Sequence, residues 1–414
     1  MTLREQINQE IREHGPIPFS RYMELCLYHP ELGYYSRNLE QFGKAGDFYT
    51  SSDVHAVFGR LLARQFDEMW RVLESPPGIE ILELGPGRGL FAQDVLDWSE
   101  KKFSEFFRAL HYSLAESSPA LRRRLQATLS GHIESRKASL ATEGAVASML
   151  ANPQRLKPRS TAEPYGTVEA VLSHGRPSEA PIIVFANEFF DALPVEVFSQ
   201  QGELRIAQKD GRWLESWDTP SAEALEFLDR YSVHPEAGER VEVPLLAQRY
   251  ISQIAATMKC GFIIAIDYGY TRQEQLAGRH RGTITAYRQH SVSANPYEAP
   301  GEQDITAHVN FTALAAAAEG HGMHVQSLLT QSQFLLGIGE HSQFADAFEE
   351  YRLQQERAKI ALQLKHLVTP AGMGESFHVL IASKGIDPGK VASLSGLTFG
   401  KIARCLPHKT ECSR

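Results

Sequence analysis

Nearly continuous apolar runs recur through the middle of the chain, and amphipathic stretches separate them. The runs "IEILELG" from residue 79, a stretch at about 110–115, "PIIVFAN" from 181 and "GFIIAIDYG" from 261 predict strands that are buried on both faces. The stretches "FAQDVLDWSEKKF" and "PALRRRLQATL" predict helices after the first two strands. This alternation is typical of an α/β protein with a parallel sheet and helices on both faces.

The chain before this sheet is predicted to be helical. Thr2 and Glu5 fit a capping box that begins a short helix, which Gly15-Pro16 ends. A longer helix is expected from about Ser52, because apolar residues recur there at helical spacing. We therefore expect residues 1–75 to form an N-terminal helical cap.

Two insertions are predicted within the α/β domain, which we place at residues 76–386. Residues 130–180 are rich in Ala, Ser and Pro, whereas residues 195–245 begin with an alternating pattern that predicts an antiparallel meander. The stretches "HVQSLLTQ" and "SFHVLIASKG" predict the last strands, the second as an antiparallel edge. The segment 387–414 carries five Lys or Arg after Pro388 and one Glu, so we expect a solvated, partly disordered basic tail.

The composition argues against several classes of protein. Hydrophobic residues make up 43% and charged residues 22% of the 414 residues, which is ordinary for a soluble globular chain. The net charge of −8 argues against a dedicated nucleic-acid binder, and no apolar stretch approaches the roughly 20 residues that span a bilayer. The four cysteines form no CxxC pair and the first residues contain no apolar signal segment, so we expect reduced thiols and a cytoplasmic location.

A glycine-rich turn joins the first predicted strand of the sheet to its helix. In "ELGPGRG", Gly85, Gly87 and Gly89 allow the backbone to turn tightly and a ligand to approach the main chain. A dinucleotide fingerprint would place the third glycine one residue later. The pattern therefore fits a related nucleotide site, or only a tight turn.

Two glutamates lie beside this turn in the predicted sheet. Glu116 ends the next strand, where its carboxylate can accept hydrogen bonds from both hydroxyls of a ribose. Alternatively, it caps the helix that begins at Ser118-Pro119. Glu83 would face the same crevice, where a sulfonium or an amino group would offset the free-energy cost of burying its charge.

Several stretches together resemble one known family. "ELGPGRG" resembles motif I of class I S-adenosylmethionine-dependent methyltransferases, and "AESSP" resembles the acidic end of their second strand. The MidA-like family has similar stretches in the same order, from about Gly15 to Gly385: "GPIPFSRYMELCLYHPELGYYS", "GDFYTSSDVHAVFG", "ANEFFDALPVEVF", "IIAIDYG", "GTITAYRQH", "GEQDITAHVNF" and "PAGMGESFHVLIASKG". The segment between Glu116 and Pro181 is longer than is usual in that family.

The resemblance implies a Rossmann-like class I methyltransferase fold, S-adenosyl-L-methionine as cofactor, and a protein substrate that presents an arginine. Characterised members are mitochondrial arginine methyltransferases that help to assemble respiratory complex I, and they symmetrically dimethylate an arginine of a complex I subunit. The loop "GDFYTSS" would then cover the cofactor, with Asp47 and Phe48 beside it, and Asn187 would also contact the cofactor.

Glu188 and Asp191, directly after "PIIVFAN", are the candidate catalytic residues. A guanidinium is a poor nucleophile because it stays protonated. Two carboxylates can hold it through paired hydrogen bonds and take up its proton as the methyl group arrives. Alternatively, Asp191 caps a turn, Glu188 pairs with an arginine such as Arg288, and Asn187 satisfies loop backbone.

Other sites and functions are disfavoured but stay open. "QDITAHVNF" brings Asp304, Thr306, His308 and Asn310 together, but their spacing does not suit a metal, so we expect no metal site. His308 is expected to form a loop hydrogen bond or part of the acceptor pocket. An NAD-type oxidoreductase would need a later third glycine. A non-catalytic assembly factor on a methyltransferase fold remains the other alternative.

Overall fold

The computed structural model describes residues 1–37, 56–141, 180–288, 291–293 and 295–399. Its helices are α1 Leu3–His14, α2 Phe19–Tyr28, α3 Ala56–Val72, α4 Leu90–Lys102, α5 Ser104–Ala109, α6 Pro119–Thr128, α7 Ser130–Glu134, α8 Ala222–Tyr231, α9 Leu245–Thr257, α10 Arg272–Leu276, α11 Phe311–Glu319, α12 Gln331–His341, α13 Ala345–Phe348, α14 Gln354–Val368 and α15 Pro388–Val391. Within these described ranges, no helix is both long enough and apolar enough to cross a membrane.

The strands belong to a main sheet and two smaller ones. They are β1 Ile17–Pro18, β2 Ile79–Leu84, β3 Leu110–Ala115, β4 Ala138–Leu140, β5 Ile182–Asn187, β6 Glu196–Ser199, β7 Gly202–Lys209, β8 Arg212–Asp218, β9 Val241–Val243, β10 Gly261–Tyr270, β11 Thr285–Arg288, β12 Ser291–Ser293, β13 Asp304–Thr306, β14 Val309–Asn310, β15 His324–Val325, β16 Leu329–Thr330 and β17 Phe377–Lys384.

The main sheet confirms the predicted α/β class. Its strand order is β15-β17-β10-β5-β2-β3-β4, and β10, β5, β2, β3 and β4 run parallel. β17 pairs antiparallel with β10, as predicted, but it is not an edge strand, because β15 and β16 pair with its other side. The carboxyl ends of the parallel strands therefore meet along one edge of the sheet.

Helices cover both faces of the main sheet. Successive residues of each strand point to opposite sides, so neighbouring residues pack against different helices. On one face, Phe185 of β5 stacks on Phe91 of α4, with ring centroids 4.5 Å apart. On the other face, Val184 belongs to a cluster with Ile251 of α9 and Leu314 of α11. This packing explains why the strands are apolar along almost their whole length.

The N-terminal helices pack on the predicted meander. α1 begins at the expected capping box, in which Thr2 Oγ1 accepts from the Glu5 amide at 3.2 Å. The meander strands β6, β7 and β8 pair antiparallel. The sequence analysis did not predict β1, which pairs with β7 through Ile17 and Ile206, since two residues carry no periodicity. α3 is described from Ala56, and the expected start near Ser52 lies outside the described residues.

Two regions differ from the sequence-based expectations. The stretch from residue 130 begins with α7 and β4, and β4 pairs with β3, so it extends the main sheet; residues 142–179 lie outside the described ranges. The start of the expected solvated tail is packed against α3. The amide of Gly396 donates to Gln65 Oε1 at 3.0 Å, and Val391 and Leu394 are buried. Apolar contacts thus order residues 388–399.

This packing predicts the effect of a tail substitution on stability. Leu394→Ala should lower the free energy of unfolding by about 2–5 kcal/mol, because it opens a cavity in the main core. Chemical denaturation measures the change. Leu362→Ala is the control, since Leu362 is 68% exposed. Equal stability of the two variants would contradict the packing of this segment.

Candidate active site

A cleft of about 720 Å³ lies at the carboxyl ends of β2, β3, β5 and β10. Parallel sheets bind ligands at this edge. The cleft is lined by most of the residues that the sequence singled out: Glu83, Gly85, Gly87, Glu116, Asn187, Glu188 and Asp191. Asp47 and Phe48 lie outside the described residues.

The glycine turn forms the floor beside β2. Gly85 and Gly87 have φ angles of 63° and 54°, which favour glycine. A Cβ at Gly85 would lie 3.0 Å from the Phe189 ring, so the turn and the loop after β5 pack closely. Gly89 differs from the prediction, because it does not line the cleft. It is the N-cap residue of α4, and a Cβ there would crowd Leu125 at 3.3 Å.

Glu116 connects the glycine turn to the start of α6. Its carboxylate accepts from the Gly87 amide at 3.2 Å and from the Ser118 amide at 2.8 Å. The N-cap of α6 is Ser118, whose Oγ accepts from the Leu121 amide at 3.2 Å, so Glu116 does not cap the helix itself. Its carboxylate has further acceptor positions for a ligand. Burial raises the pKa of Glu116 to about 7, against the lowering effect of these amides.

Glu83 is the second buried acid of this half of the cleft and is 4% exposed. The Tyr112 hydroxyl donates to its Oε2 at 2.9 Å. Burial, with a smaller contribution from the nearby charge of Glu116, raises the pKa of Glu83 to about 8, although the hydrogen bond from Tyr112 lowers it. A bound cation would favour the ionised form of both acids.

The loop after β5 presents three polar side chains to the cleft. Asn187 Nδ2 donates to Glu188 Oε1 at 3.2 Å. Glu188 has a φ angle of 49°, an uncommon conformation for a residue other than glycine that often marks functional sites. Among the described residues, Asn187 Oδ1 and Asp191 Oδ1 are buried oxygens without a hydrogen-bond partner. Such acceptors would be satisfied by donors of a ligand.

Asp191 is held by a tyrosine that the sequence analysis missed. The Tyr268 hydroxyl donates to Asp191 Oδ2 at 2.6 Å, while burial raises the pKa of Asp191 to about 6. The neighbouring Ala192 amide lowers this pKa, against the effect of burial. Arg288, the alternative partner considered for Glu188, donates to Glu302 at 2.7 Å.

The N-terminal region and the β11–β13 sheet supply further cleft residues that the sequence did not assign to the site. Tyr28 and Tyr35 come from α2 and the turn after it; their hydroxyls donate to the Ala192 carbonyl at 2.9 Å and to Asp304 at 2.8 Å. The sequence feature that could have indicated this role is the pair of aromatic residues in "LGYYS", within a predicted loop. Tyr287 lines the cleft beside them.

His308 lines the cleft as expected for a pocket residue. Its Nδ1 lies 3.1 Å from His280 Nδ1, and burial lowers the pKa of His308 to about 4. Asn310 caps α11 by accepting from the Ala313 amide at 3.0 Å. No group of three His, Cys, Asp or Glu side chains within the described ranges has a geometry that could hold a metal ion.

The cleft fits a nucleoside-type methyl donor. Its glycine turn leaves main chain accessible, Glu116 lies where a ribose would bind, and Glu83 lies where a cation would offset its burial. Within the described part of the chain, Asn187 Oδ1 and Asp191 Oδ1 are two buried acceptors of the cleft that have no hydrogen-bond partner. The half of the cleft at β2 and β3 would therefore hold the donor, and the half at β5 and β10 would hold the acceptor.

Comparison with known proteins defines the class. The family model for S-adenosyl-L-methionine-dependent methyltransferases matches residues 61–329, more than half of the chain, and the chain belongs to this family. It is thus a methyltransferase with the class I fold, and its cofactor is S-adenosyl-L-methionine. This assignment argues against the NAD-type oxidoreductase.

Individual relatives cover nearly the whole chain. The protein arginine methyltransferase NDUFAF7 homolog of Drosophila melanogaster, a mitochondrial protein, is 28% identical over 93% of this chain and 85% of its own length. Human protein arginine methyltransferase NDUFAF7 is 28% identical over 89% of this chain and 80% of its own. A Burkholderia thailandensis protein, crystallised with S-adenosyl-homocysteine, is 25% identical with a TM-score of 0.73, and the match covers 95% of this chain and 94% of that protein.

The raised pKa of Glu116 predicts pH-dependent cofactor binding. Ribose hydroxyls donate to the ionised carboxylate, so binding of S-adenosyl-homocysteine should release a proton and strengthen as the pH rises through about 7. Glu116→Gln should weaken binding by about 10- to 100-fold and flatten this dependence. Isothermal titration calorimetry in buffers of different ionisation enthalpy measures both effects.

A matched control for this measurement is Glu242→Gln. Glu242 is 1% exposed, and burial likewise raises its pKa to about 7, but it bonds to Thr283 and does not line the cleft. The control should bind S-adenosyl-homocysteine as the wild type does. Full affinity of Glu116→Gln would show that Glu116 acts only by holding the amides of Gly87 and Ser118.

Proposed function

We propose that this methyltransferase modifies an arginine side chain of a protein. The observation that carries the proposal is the pair of carboxylates, Glu188 and Asp191, at the acceptor half of the cleft. One oxygen of Asp191 is buried without a partner. A guanidinium, which has five N–H donors and no acceptor, suits such a group. The names of the fly and human relatives support the same substrate class.

The carboxylates would orient the acceptor and accept its proton. Glu188 and Asp191 would hold the guanidinium through charge-assisted hydrogen bonds and draw its positive charge away from the attacking nitrogen. Tyr268 would keep Asp191 in one rotamer through the bond to Oδ2, leaving Oδ1 toward the acceptor. Since burial raises the pKa of Asp191 to about 6, this carboxylate is suited to take up a proton near neutral pH.

The glycine turn and Glu116 would hold the cofactor, which would supply a methyl group from its sulfonium. The acceptor nitrogen would bond to that methyl carbon as the carbon–sulfur bond breaks, and one N–H proton would be released. The chain's own contribution is alignment of the acceptor and removal of that proton. Tyr28, Tyr35 and Tyr287 would enclose the acceptor side of the cleft and limit the access of water.

The particular substrate follows from family resemblance. We propose an arginine of a protein similar to a respiratory complex I subunit as the acceptor, because the chain resembles the family whose characterised members act there. The fly and human relatives are mitochondrial proteins, so they do not support the cytoplasmic location. That location stays a prediction from the sequence.

The proposal is tested by removing one carboxylate charge. Glu188→Gln should lower methyl transfer by about 100-fold or more, because the guanidinium loses a charged hydrogen-bond partner. Its affinity for S-adenosyl-homocysteine should stay near that of the wild type. Transfer is measured with radiolabelled S-adenosyl-L-methionine and a lysate from cells that lack the enzyme, followed by mass spectrometry of the labelled protein.

Glu302→Gln serves as the control, because Glu302 is a partly exposed acid that pairs with Arg288 and does not line the cleft. The control should transfer methyl groups at the wild-type rate. Label on a lysine or a small molecule would refute the arginine assignment. Complete lack of transfer by the wild type, with normal cofactor binding, would favour the non-catalytic assembly factor.

A further inference from the structure

A third carboxylate, Asp267, lies directly behind the loop of residues 188–191 that follows β5. This loop carries Glu188 and Asp191 and is called the catalytic loop below. Asp267 stands near the carboxyl end of β10, one residue after Ile266, which pairs with Asn187 of β5, and it is 0% exposed. Asp267 does not line the cleft. The sequence analysis quoted it only as part of "IIAIDYG" and gave it no role.

One oxygen of Asp267 accepts hydrogen bonds from three backbone amides of the catalytic loop. Oδ2 accepts from the amides of Phe189 at 3.2 Å, Phe190 at 2.9 Å and Asp191 at 3.3 Å. Its Oδ1 accepts from the Tyr268 amide at 3.0 Å. Three successive amides that point at one carboxylate oxygen fix the path of the chain from 189 to 191.

This contact accounts for the unusual backbone of Glu188. The φ angle of 49° at Glu188 costs free energy for a residue with a side chain, so the surroundings must hold it. The Glu188 amide donates to the Ile266 carbonyl at 2.9 Å on one side, and the Asp267 carboxylate binds the next three amides on the other. Glu188 is thereby locked between two contacts to β10.

The neighbouring residue fixes the other carboxylate. Tyr268 follows Asp267 in β10, and its hydroxyl holds Asp191 Oδ2. Asp267 thus determines the backbone position of Asp191, and Tyr268 determines its side-chain position. Both ends of the catalytic loop are therefore held by hydrogen bonds to β10.

A carboxylate at this position is unfavourable for stability alone. Burial raises the pKa of Asp267 well above its ordinary value, and the negative charges of Asp191 and Glu188 raise it further. A core residue with no part in the reaction would avoid burial next to two further acids, Asp191 and Glu188. The arrangement is explained if accurate placement of the loop matters more than the stability of the fold.

We infer that Asp267 is a positioning residue that holds Glu188 and Asp191 in the geometry needed to bind the acceptor. This inference rests on the proposed function, because it assigns these two carboxylates to the acceptor. It predicts that a change at Asp267 acts on the catalytic step and spares the donor half of the cleft.

The test compares Asp267→Asn with the wild type. The substitution keeps the shape but removes the charge that attracts the three amides. We expect kcat to fall by about 100-fold, because even a small misplacement of reacting groups slows the reaction by about this factor. The affinity for S-adenosyl-homocysteine should change little. Hydrogen–deuterium exchange should become faster in the peptide that covers residues 188–192 and stay unchanged in β2.

Two further variants make the outcome decisive. Asp267→Glu keeps the charge but moves the oxygen, so it should lose kcat as well if position is what matters. Asp346→Asn is the matched control. Asp346 of α13 is 2% exposed, accepts from Arg64 and from Trp98 Nε1 at 2.9 Å, and does not line the cleft. The control should keep the wild-type kcat and the wild-type exchange in residues 188–192.

Each result bears on the inference. Wild-type kcat in either Asp267 variant, or unchanged exchange in residues 188–192, would overturn it. A loss of cofactor affinity as large as the loss of kcat would overturn it as well. Unfolding of both variants, seen as faster exchange throughout β2, would assign Asp267 to the core and would also overturn it. Failure of the proposed function looks different: the wild type would then label no arginine, while exchange in residues 188–192 would still respond to Asp267→Asn.

Discussion

The site depends on acids placed where the parallel strands of the main sheet end. Glu83 stands near the end of β2, Glu116 follows β3, Glu188 follows β5, and Asp267 stands near the end of β10. Burying several like charges at one edge is unfavourable, and the raised pKa values of Glu83, Glu116 and Asp267 express this. A sulfonium on one side and a guanidinium on the other would offset much of that free energy. This edge of the sheet therefore favours cationic ligands over neutral or anionic ones.

The same edge separates into two halves with different supports. Backbone amides of the glycine turn and of α6 hold Glu116, so the donor half is built from main chain close to its own strands. The acceptor half depends on contacts distant in sequence, including Tyr28 to Ala192 and Tyr268 to Asp191. The N-terminal region therefore lines this half of the cleft as well as contributing to the hydrophobic core.

Local patterns carried much of this architecture. The apolar runs predicted the parallel strands because strands covered on both faces leave no polar positions, and the capping box at Thr2 and Glu5 predicted the start of α1. Gly85, Glu116 and Asn187 could be placed at one edge because parallel strands end together. The two-residue β1 and the packing of residues 388–399 were missed, since neither produces a periodic signal.

The sequence by itself determined the class of fold, the glycine turn and the identity of the acids that follow the strands, because hydrophobic periodicity and turn residues act over a few neighbouring positions. Only the tertiary structure decided which of these groups touch. Asp267 became a partner of the loop after β5 because β10 and β5 pair in register, and Gly89 turned toward Leu125 because α4 packs near α6. Such contacts join residues far apart in the chain, so their geometry follows from strand register and helix packing, which no local pattern encodes.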